Sequence, residues 1–168
     1  LLFLWTVTLP ALAGAGAFGI KHLDGIKLID GVEVISLVGR ERDKTRQVAD
    51  QYGIAHVTTD LAESLAMPEV DAVILCTPTQ MHAAQSIQCP QAGKHVQVEI
   101  PMADKLADAQ AIVALQQSSG LVAMCGHIRR FNPSDQYVNN EITAGRFNIQ
   151  QMDVQTYFFR RTNTNALG

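Results

Sequence analysis

Gly14, Gly16 and Gly19 stand in the spacing GxGxxG, with Ala15, Ala17 and Phe18 between them. The chemistry this spacing offers belongs to the main chain. The first glycine permits a tight turn, the second lets the backbone approach a pyrophosphate, and the third lets a helix pack closely on a strand. The helix N-terminus then turns its free N–H groups toward the anion. A lone GxGxxG is a weak signal; here it follows a short apolar run and opens a helical pattern, the context that the motif requires. Roughly twenty residues on, where an NAD site places Asp or Glu against the ribose 2'-hydroxyl, the chain reads Ser36-Leu37-Val38-Gly39-Arg40. The Arg40 guanidinium matches a 2'-phosphate in charge and fork geometry, and a small Gly39 leaves room for it, which favours NADP while leaving NAD possible. The competing reading of Arg40 is a solvated arginine beside Glu41 and Arg42.

His82 and His127 each follow the C-terminal end of an apolar run, where ligands bind in open parallel sheets. His127 is thus a candidate for proton transfer. His22, on the exposed flank of the first helix, and His56 and His95, at strand starts, read as structural. Arg129, Arg130, Arg160 and Arg161 form two pairs at strand ends. One member of each pair can face a site, because successive strand residues point oppositely. Arg130, Arg160 and Arg161 are therefore candidates to bind a substrate with several carboxylates, against the alternative of ordinary surface arginines. No zinc-ligand spacing and no recognisable nucleophile–base pair appears, so no metal is expected.

The elements that must position these residues follow from periodicity and punctuation. Strand-like runs lie near 9–13, 32–38, 55–58, 70–76, 95–99 and 121–127, with helical stretches in the gaps, an alternation that predicts a parallel sheet. Val32 to Val38 and Val70 to Cys76 are nearly continuous in Val, Ile and Leu, as strands covered on both faces are. Ile20, Leu23, Ile26 and Ile29, and Val48 with Tyr52, supply helical faces to bury. Asp60 with Glu63 reads as a capping box, Asn132-Pro133 as an N-cap followed by proline, and Gly53, Gly93, Gly120 and Gly145 as helix ends. Pro90, after Cys89, should kink the last turn of its helix. Pro10 conflicts with a central first strand, so residues 1–10 read as a lead separate from the domain. After Gly145, Ile149 to Phe159 reads as a strand of a different sheet. One strand cannot bury itself, which predicts that the chain is the front part of a longer protein.

With 168 residues, 47% apolar side chains and a net charge of −3, the chain suits a globular domain with a real core. It carries no basic cluster interleaved with aromatics, which argues against nucleic acid as a partner. Cys76, Cys89 and Cys125 are an odd count without CxxC spacing, as in a reducing cytoplasm. The uncharged first twenty residues raise a signal peptide cleaved near Ala13, or a membrane span. No initiator Met or basic n-region accompanies them, and cleavage would remove the strand that carries the glycine loop, so neither is expected.

The glycine loop, Thr77-Pro78-Thr79-Gln80-Met81-His82, Ala92-Gly93-Lys94-His95-Val96 and Glu99-Ile100-Pro101 occur in that order. In these motifs, over about residues 11 to 161, the chain resembles the glucose-fructose oxidoreductase and inositol dehydrogenase family. The resemblance implies an α/β fold: a Rossmann doubly wound parallel sheet over 11–127, then the truncated start of an α+β substrate domain over 128–168. It implies an NADP-dependent dehydrogenase, homo-oligomeric at full length. Within the family the runs 74–82, 95–101, 129–133 and 150–161 resemble members that oxidise 4-carboxy-2-hydroxymuconate-6-semialdehyde, as its hemiacetal, to 2-pyrone-4,6-dicarboxylate in protocatechuate catabolism. Thr77, Pro78, Thr79 and His82, with the adjoining Cys76, match a turn that lines the nicotinamide ribose. Glu99, Ile100 and Pro101 match a Glu-Lys-Pro turn, and Ile100 is the departure, since isoleucine can neither bind a hydroxyl nor pass a proton. The alternatives are a polyol or sugar dehydrogenase of the same family and a dinucleotide-binding sensor without turnover.

Overall fold

The computed structural model describes residues 8–155. The chain divides into two compact units, 1–127 and 128–168. In the first unit, strand β1 (Pro10–Ala13) leads into helix α1 (Ala17–Ile26), and β2 (Ser36–Val38) into α2 (Arg42–Tyr52). After them come β3 (His56–Thr58), α3 (Leu61–Leu65), β4 (Ala72–Leu75), α4 (Thr79–Gln91), β5 (His95–Val98), α5 (Leu106–Ser119) and β6 (Ala123–Cys125). The six strands are parallel in the order β3-β2-β1-β4-β5-β6, the doubly wound Rossmann arrangement. Its order reverses between β1 and β4, where such sheets open a crevice at the carboxyl ends of the strands.

Side-chain alternation along the strands divides the core between two layers. Ala11, Ala13, Val73, Leu75, Val96 and Val98 face α3 and α4, packing with Leu61, Leu65 and Cys89. Leu12 and Leu37 face α1 and α2, packing with Leu23 and Ala49. Helices α1 and α4 therefore approach the same strand ends from opposite faces of the sheet.

Pro10 is the first residue of β1 and pairs with Ala72. On either side of it, Leu9 N–H donates to Asp71 Oδ2 at 3.0 Å and Ile35 N–H to the Pro10 carbonyl at 3.1 Å. A proline that opens a strand leaves no interior donor missing. Thr8 makes an isolated bridge to Val32, so residues 8 and 9 are bonded alongside the strand that Pro10 opens; 1–7 lie outside the described residues. The run 32–38 shortens to a strand over 36–38. The foreseen helix ends are present: the Asp60 carboxylate accepts from Ala62 N–H at 2.9 Å, and Gly53 and Gly120 end their helices left-handed, at φ 71° and 69°. Helix α4 continues through Pro90 to Gln91 and closes with Ala92 N–H on the Gln88 and Cys89 carbonyls.

In the second unit a 3₁₀ turn, Ile128–Phe131, precedes α6, Pro133–Thr143. Asn132 caps this helix, its Oδ1 accepting from Ser134 N–H at 2.9 Å. Arg146 makes a two-pronged contact with Glu141, at 2.6 Å for each pair. Residues 149–155 form no strand, contrary to expectation, because a strand exists only by pairing and no described neighbour pairs with them. Residues 156–159 of that run lie outside the described residues. No helix among the described residues is long and apolar enough to cross a membrane.

Candidate functional site

The glycine loop joins β1 to α1 at the crevice. Gly14 adopts φ 113°, and a Cβ there would overlap the Cys76 carbonyl oxygen at the tip of β4. Gly14 N–H donates to the Val38 carbonyl at 2.8 Å, and Cys76 N–H to the Ala13 carbonyl at 2.7 Å, so the loop is pinned between β2 and β4. A Cβ on Gly19 would overlap the Gly14 carbonyl oxygen, whereas one on Gly16 would meet nothing within 4 Å. The outer glycines therefore answer to the fold and the middle one to open space. Gly16 caps α1 without a side-chain bond, and the first turn, with exposed Ala17 and Phe18, carries no acidic residue. An uncapped helix start facing open space fits an anion such as a dinucleotide's pyrophosphate.

At the tip of β2, Gly39 is buried and Arg40 exposed. A Cβ on Gly39 would overlap Thr45 Oγ1 and stand 3.0 Å from Thr45 Cβ. The small residue thus admits helix α2. Thr45 is itself held there, its Oγ1 donating to the Glu41 carbonyl at 2.7 Å. Glu41 pairs with Lys44 at 2.8 Å, and Lys44 first, with Arg40 also contributing, holds its carboxyl below the usual range. Arg40 itself makes no hydrogen bond or salt bridge to a described residue, which leaves its guanidinium available.

The tips of β4 and β5 complete the crevice. Thr77 Oγ1 donates to Gln85 Oε1 at 2.6 Å, while Pro78 and Thr79 begin α4. His82, only 2% exposed, sets Nε2 2.7 Å from the Thr77 carbonyl oxygen and Nδ1 2.7 Å from that of Pro101. Both partners are acceptors and a neutral imidazole carries one N–H, so the ring donates to one of these carbonyls, as its tautomer sets, and packs its other nitrogen against the second, lying between the two loops. Glu99 N–H donates to the Leu75 carbonyl at 3.0 Å, and Glu99 Oε1 lies 2.8 Å from His22 Nε2 on α1. Ile100, 49% exposed, presents an apolar surface between these ties. Burial first, then the nearby Glu99 carboxylate, pushes the Cys76 thiol up to about 12; Cys125 is raised by the same two influences, burial again the larger.

His22 is the residue that sequence reasoning passes over. It stands one turn after Gly19, the glycine that packs inward, and so shares its inward side; that spacing was the available signal. His56 and His95 are structural, as expected: His56 Nδ1 lies 2.8 Å from Ser36 Oγ, and His95 Nδ1 accepts from Val122 N–H at 2.9 Å. His127 is exposed just past β6. Arg130 is exposed in the 3₁₀ turn of the second unit, its carbonyl accepting from Gln136 Nε2 at 3.1 Å. Arg160 and Arg161 lie outside the described residues.

Known proteins share this fold. Residues 10–127 match the model of an oxidoreductase family with an NAD-binding Rossmann fold, and 133–168 match that of bacterial oxidoreductase C-terminal domains. The chain is 65% identical over 158 residues to 4-carboxy-2-hydroxymuconate-6-semialdehyde dehydrogenase of Sphingobium sp. (strain NBRC 103272 / SYK-6), covering 94% of this chain and 50% of that protein. It is 27% identical over 132 residues to myo-inositol 2-dehydrogenase of Thermotoga maritima, covering 79% and 40%. The fold matches scyllo-inositol dehydrogenase from Lactobacillus casei, solved with NAD(H) and scyllo-inositol, with a TM-score of 0.79 at 21% identity over 83% of this chain and 42% of that one. The chain thus spans about half the length of the curated relatives it matches. With a GxGxxG loop between β1 and α1 and a family model matched across the whole sheet, the chain belongs to the oxidoreductase family of glucose-fructose oxidoreductase and inositol dehydrogenase.

Proposed function

We propose that this chain is the dinucleotide-binding part of an NADP-dependent dehydrogenase of the cytoplasm. In our reading the enzyme oxidises 4-carboxy-2-hydroxymuconate-6-semialdehyde, as its cyclic hemiacetal, to 2-pyrone-4,6-dicarboxylate in protocatechuate catabolism. The observation that carries the substrate is the 65% identity, over 94% of this chain, to the Sphingobium enzyme of that name. NADP rests on Arg40 at the tip of β2, with no acidic residue in its place. The cytoplasm rests on Cys76, Cys89 and Cys125, all free thiols.

The residues divide the work as follows. Main-chain N–H groups from Gly16 to Gly19 bind the pyrophosphate and Arg40 the 2'-phosphate, while Cys76 to Thr79 and Glu99 to Ile100 border the nicotinamide end. NADP, when bound, supplies the hydride acceptor. The hemiacetal carbon gives up a hydride and its hydroxyl a proton, a two-electron change that turns hemiacetal into lactone. Ile100 has no group to take that proton, and His127 is the candidate within this chain. Arg130, Arg160 and Arg161 are candidates for the substrate carboxylates.

Family membership alone also fits a polyol or sugar dehydrogenase, the class of the Thermotoga relative, and Ile100 fits a sensor that binds without turnover. NADPH formation by the complete protein, with the hemiacetal, myo-inositol and glucose side by side, separates the three. Reduction of NADP by the hemiacetal alone is the expected result; reduction by the polyols only, or tight binding with no turnover, would overturn it.

A further inference from the structure

We infer that His22 and His82 form a two-sided clamp that sets the position of the Glu99-Ile100-Pro101 segment, and through it the nicotinamide end of the dinucleotide site. The inference rests on the functional reading above and deepens it by assigning two positioning residues.

The geometry is convergent. From one face of the sheet, α1 brings His22 Nε2 to 2.8 Å from Glu99 Oε1, with the two side chains 25% and 12% exposed. From the other face, α4 brings buried His82 Nδ1 to 2.7 Å from the carbonyl oxygen of Pro101. The segment between the two contacts is three residues long; Glu99 is half-buried, while Ile100 and Pro101 are exposed. A third element closes the arrangement, since a Cβ on Gly126, past β6, would stand 3.1 Å from Glu99 Oε1 and 2.8 Å from Gln97 Nε2. The carboxylate is thus hemmed in on the β6 side and tied on the α1 side. Glu99 has been taken largely out of water, and such a carboxylate requires a hydrogen-bonding partner; His22 is the partner present.

Each histidine also reaches a part of the site other than the segment. His22 rides on the helix whose first turn faces the pyrophosphate, and His82 Nε2 contacts the Thr77 carbonyl at the start of the β4–α4 turn. The clamp therefore puts three stretches in register: the glycine loop, the Thr77 turn and the Ile100 ledge. The adenine end, at the tip of β2, contacts neither histidine. Loosening the clamp should weaken the grip on the nicotinamide half of the cofactor and spare the other half, a division that general destabilisation would not produce.

The test is binding to the complete polypeptide of two ligands: NADP, and adenosine 2',5'-bisphosphate, which carries the adenine end alone. His22→Ala and His82→Ala should each weaken NADP roughly three- to tenfold, the usual weight of one or two hydrogen bonds, and leave the bisphosphate unchanged. His22→Gln, which restores a donor to Glu99, should recover most of the loss. Should His82→Ala not fold, the partly exposed His22 variants decide. Unchanged NADP affinity in His22→Ala, or equal weakening of both ligands, would overturn the clamp. Wild-type protein that binds neither ligand would instead remove the dinucleotide reading, and the clamp with it.

Discussion

A Cβ on Gly19 would overlap the carbonyl oxygen of Gly14, as one on Gly14 would overlap that of Cys76, so the fold requires both outer glycines before any ligand arrives. Gly19→Ala must push the start of α1 away from β1. Overpacking of this kind costs about 1–3 kcal/mol. The variant should unfold at lower temperature in a thermal melt and lose dinucleotide binding together with its stability.

Gly16 makes the contrasting case, because a Cβ there meets nothing within 4 Å. Gly16→Ala should melt with the wild type yet bind NADP at least about tenfold more weakly, since the added methyl occupies the space the pyrophosphate needs. Equal affinity in the two proteins would move the phosphate site elsewhere.

Arg40 is exposed and makes no hydrogen bond or salt bridge to a described residue. Arg40→Ala should cost about 1.5–3 kcal/mol of NADP affinity, the scale of a charge-assisted hydrogen bond, and leave NAD affinity unchanged. Titration of both cofactors against both proteins reads the difference; a parallel loss for NAD would assign Arg40 to stability rather than to the 2'-phosphate.

Gly39 carries a prediction about the fold alone. Its Cβ would overlap Thr45 Oγ1, so Gly39→Ala should destabilise by about 1–3 kcal/mol. Thr45→Ala in the same chain should restore part of the loss by vacating the clashing hydroxyl and methyl. Chemical denaturation of the single and double variants checks this.

Much of this architecture can be foreseen from the chain because its signals are local. Alternating apolar runs and helical faces foretell the parallel sheet, and capping residues foretell the starts of α3 and α6. What escapes is long-range. Pro10 looks forbidden in a central strand until Leu9 and Asp71 are seen to pair beside it. The packing of Gly39 against Thr45 on α2 has no local signal either. His22 looks like a solvent-facing helix residue because Glu99, its partner, lies 77 positions away. His82 looks like a residue just past a strand, whereas it lies in the first turn of α4 with its ring between the Thr77 and Pro101 carbonyls. The foreseen strand over 149–159 rests on alternation alone, and alternation does not supply a neighbour to pair with.

The thiols give a chemical check on burial. Cys76 and Cys89 are both pushed up to about 12, Cys76 by burial and then Glu99, Cys89 by burial alone. A raised thiol stays protonated at neutral pH, so near pH 8 only about one in ten thousand of either is thiolate. Iodoacetamide should leave both unmodified in the folded protein and alkylate both after denaturation, as mass spectrometry of the peptides would read. Rapid labelling of Cys76 in the folded state would contradict the closed packing of the β4 tip.

Calorimetric titration of the complete protein with NADP and with NAD asks whether the Gly14–Gly19 loop and Arg40 together receive a phosphorylated dinucleotide. Saturable binding of one NADP per subunit, at least about tenfold tighter than NAD, is the predicted result. Heat traces showing no association with either nucleotide would contradict it.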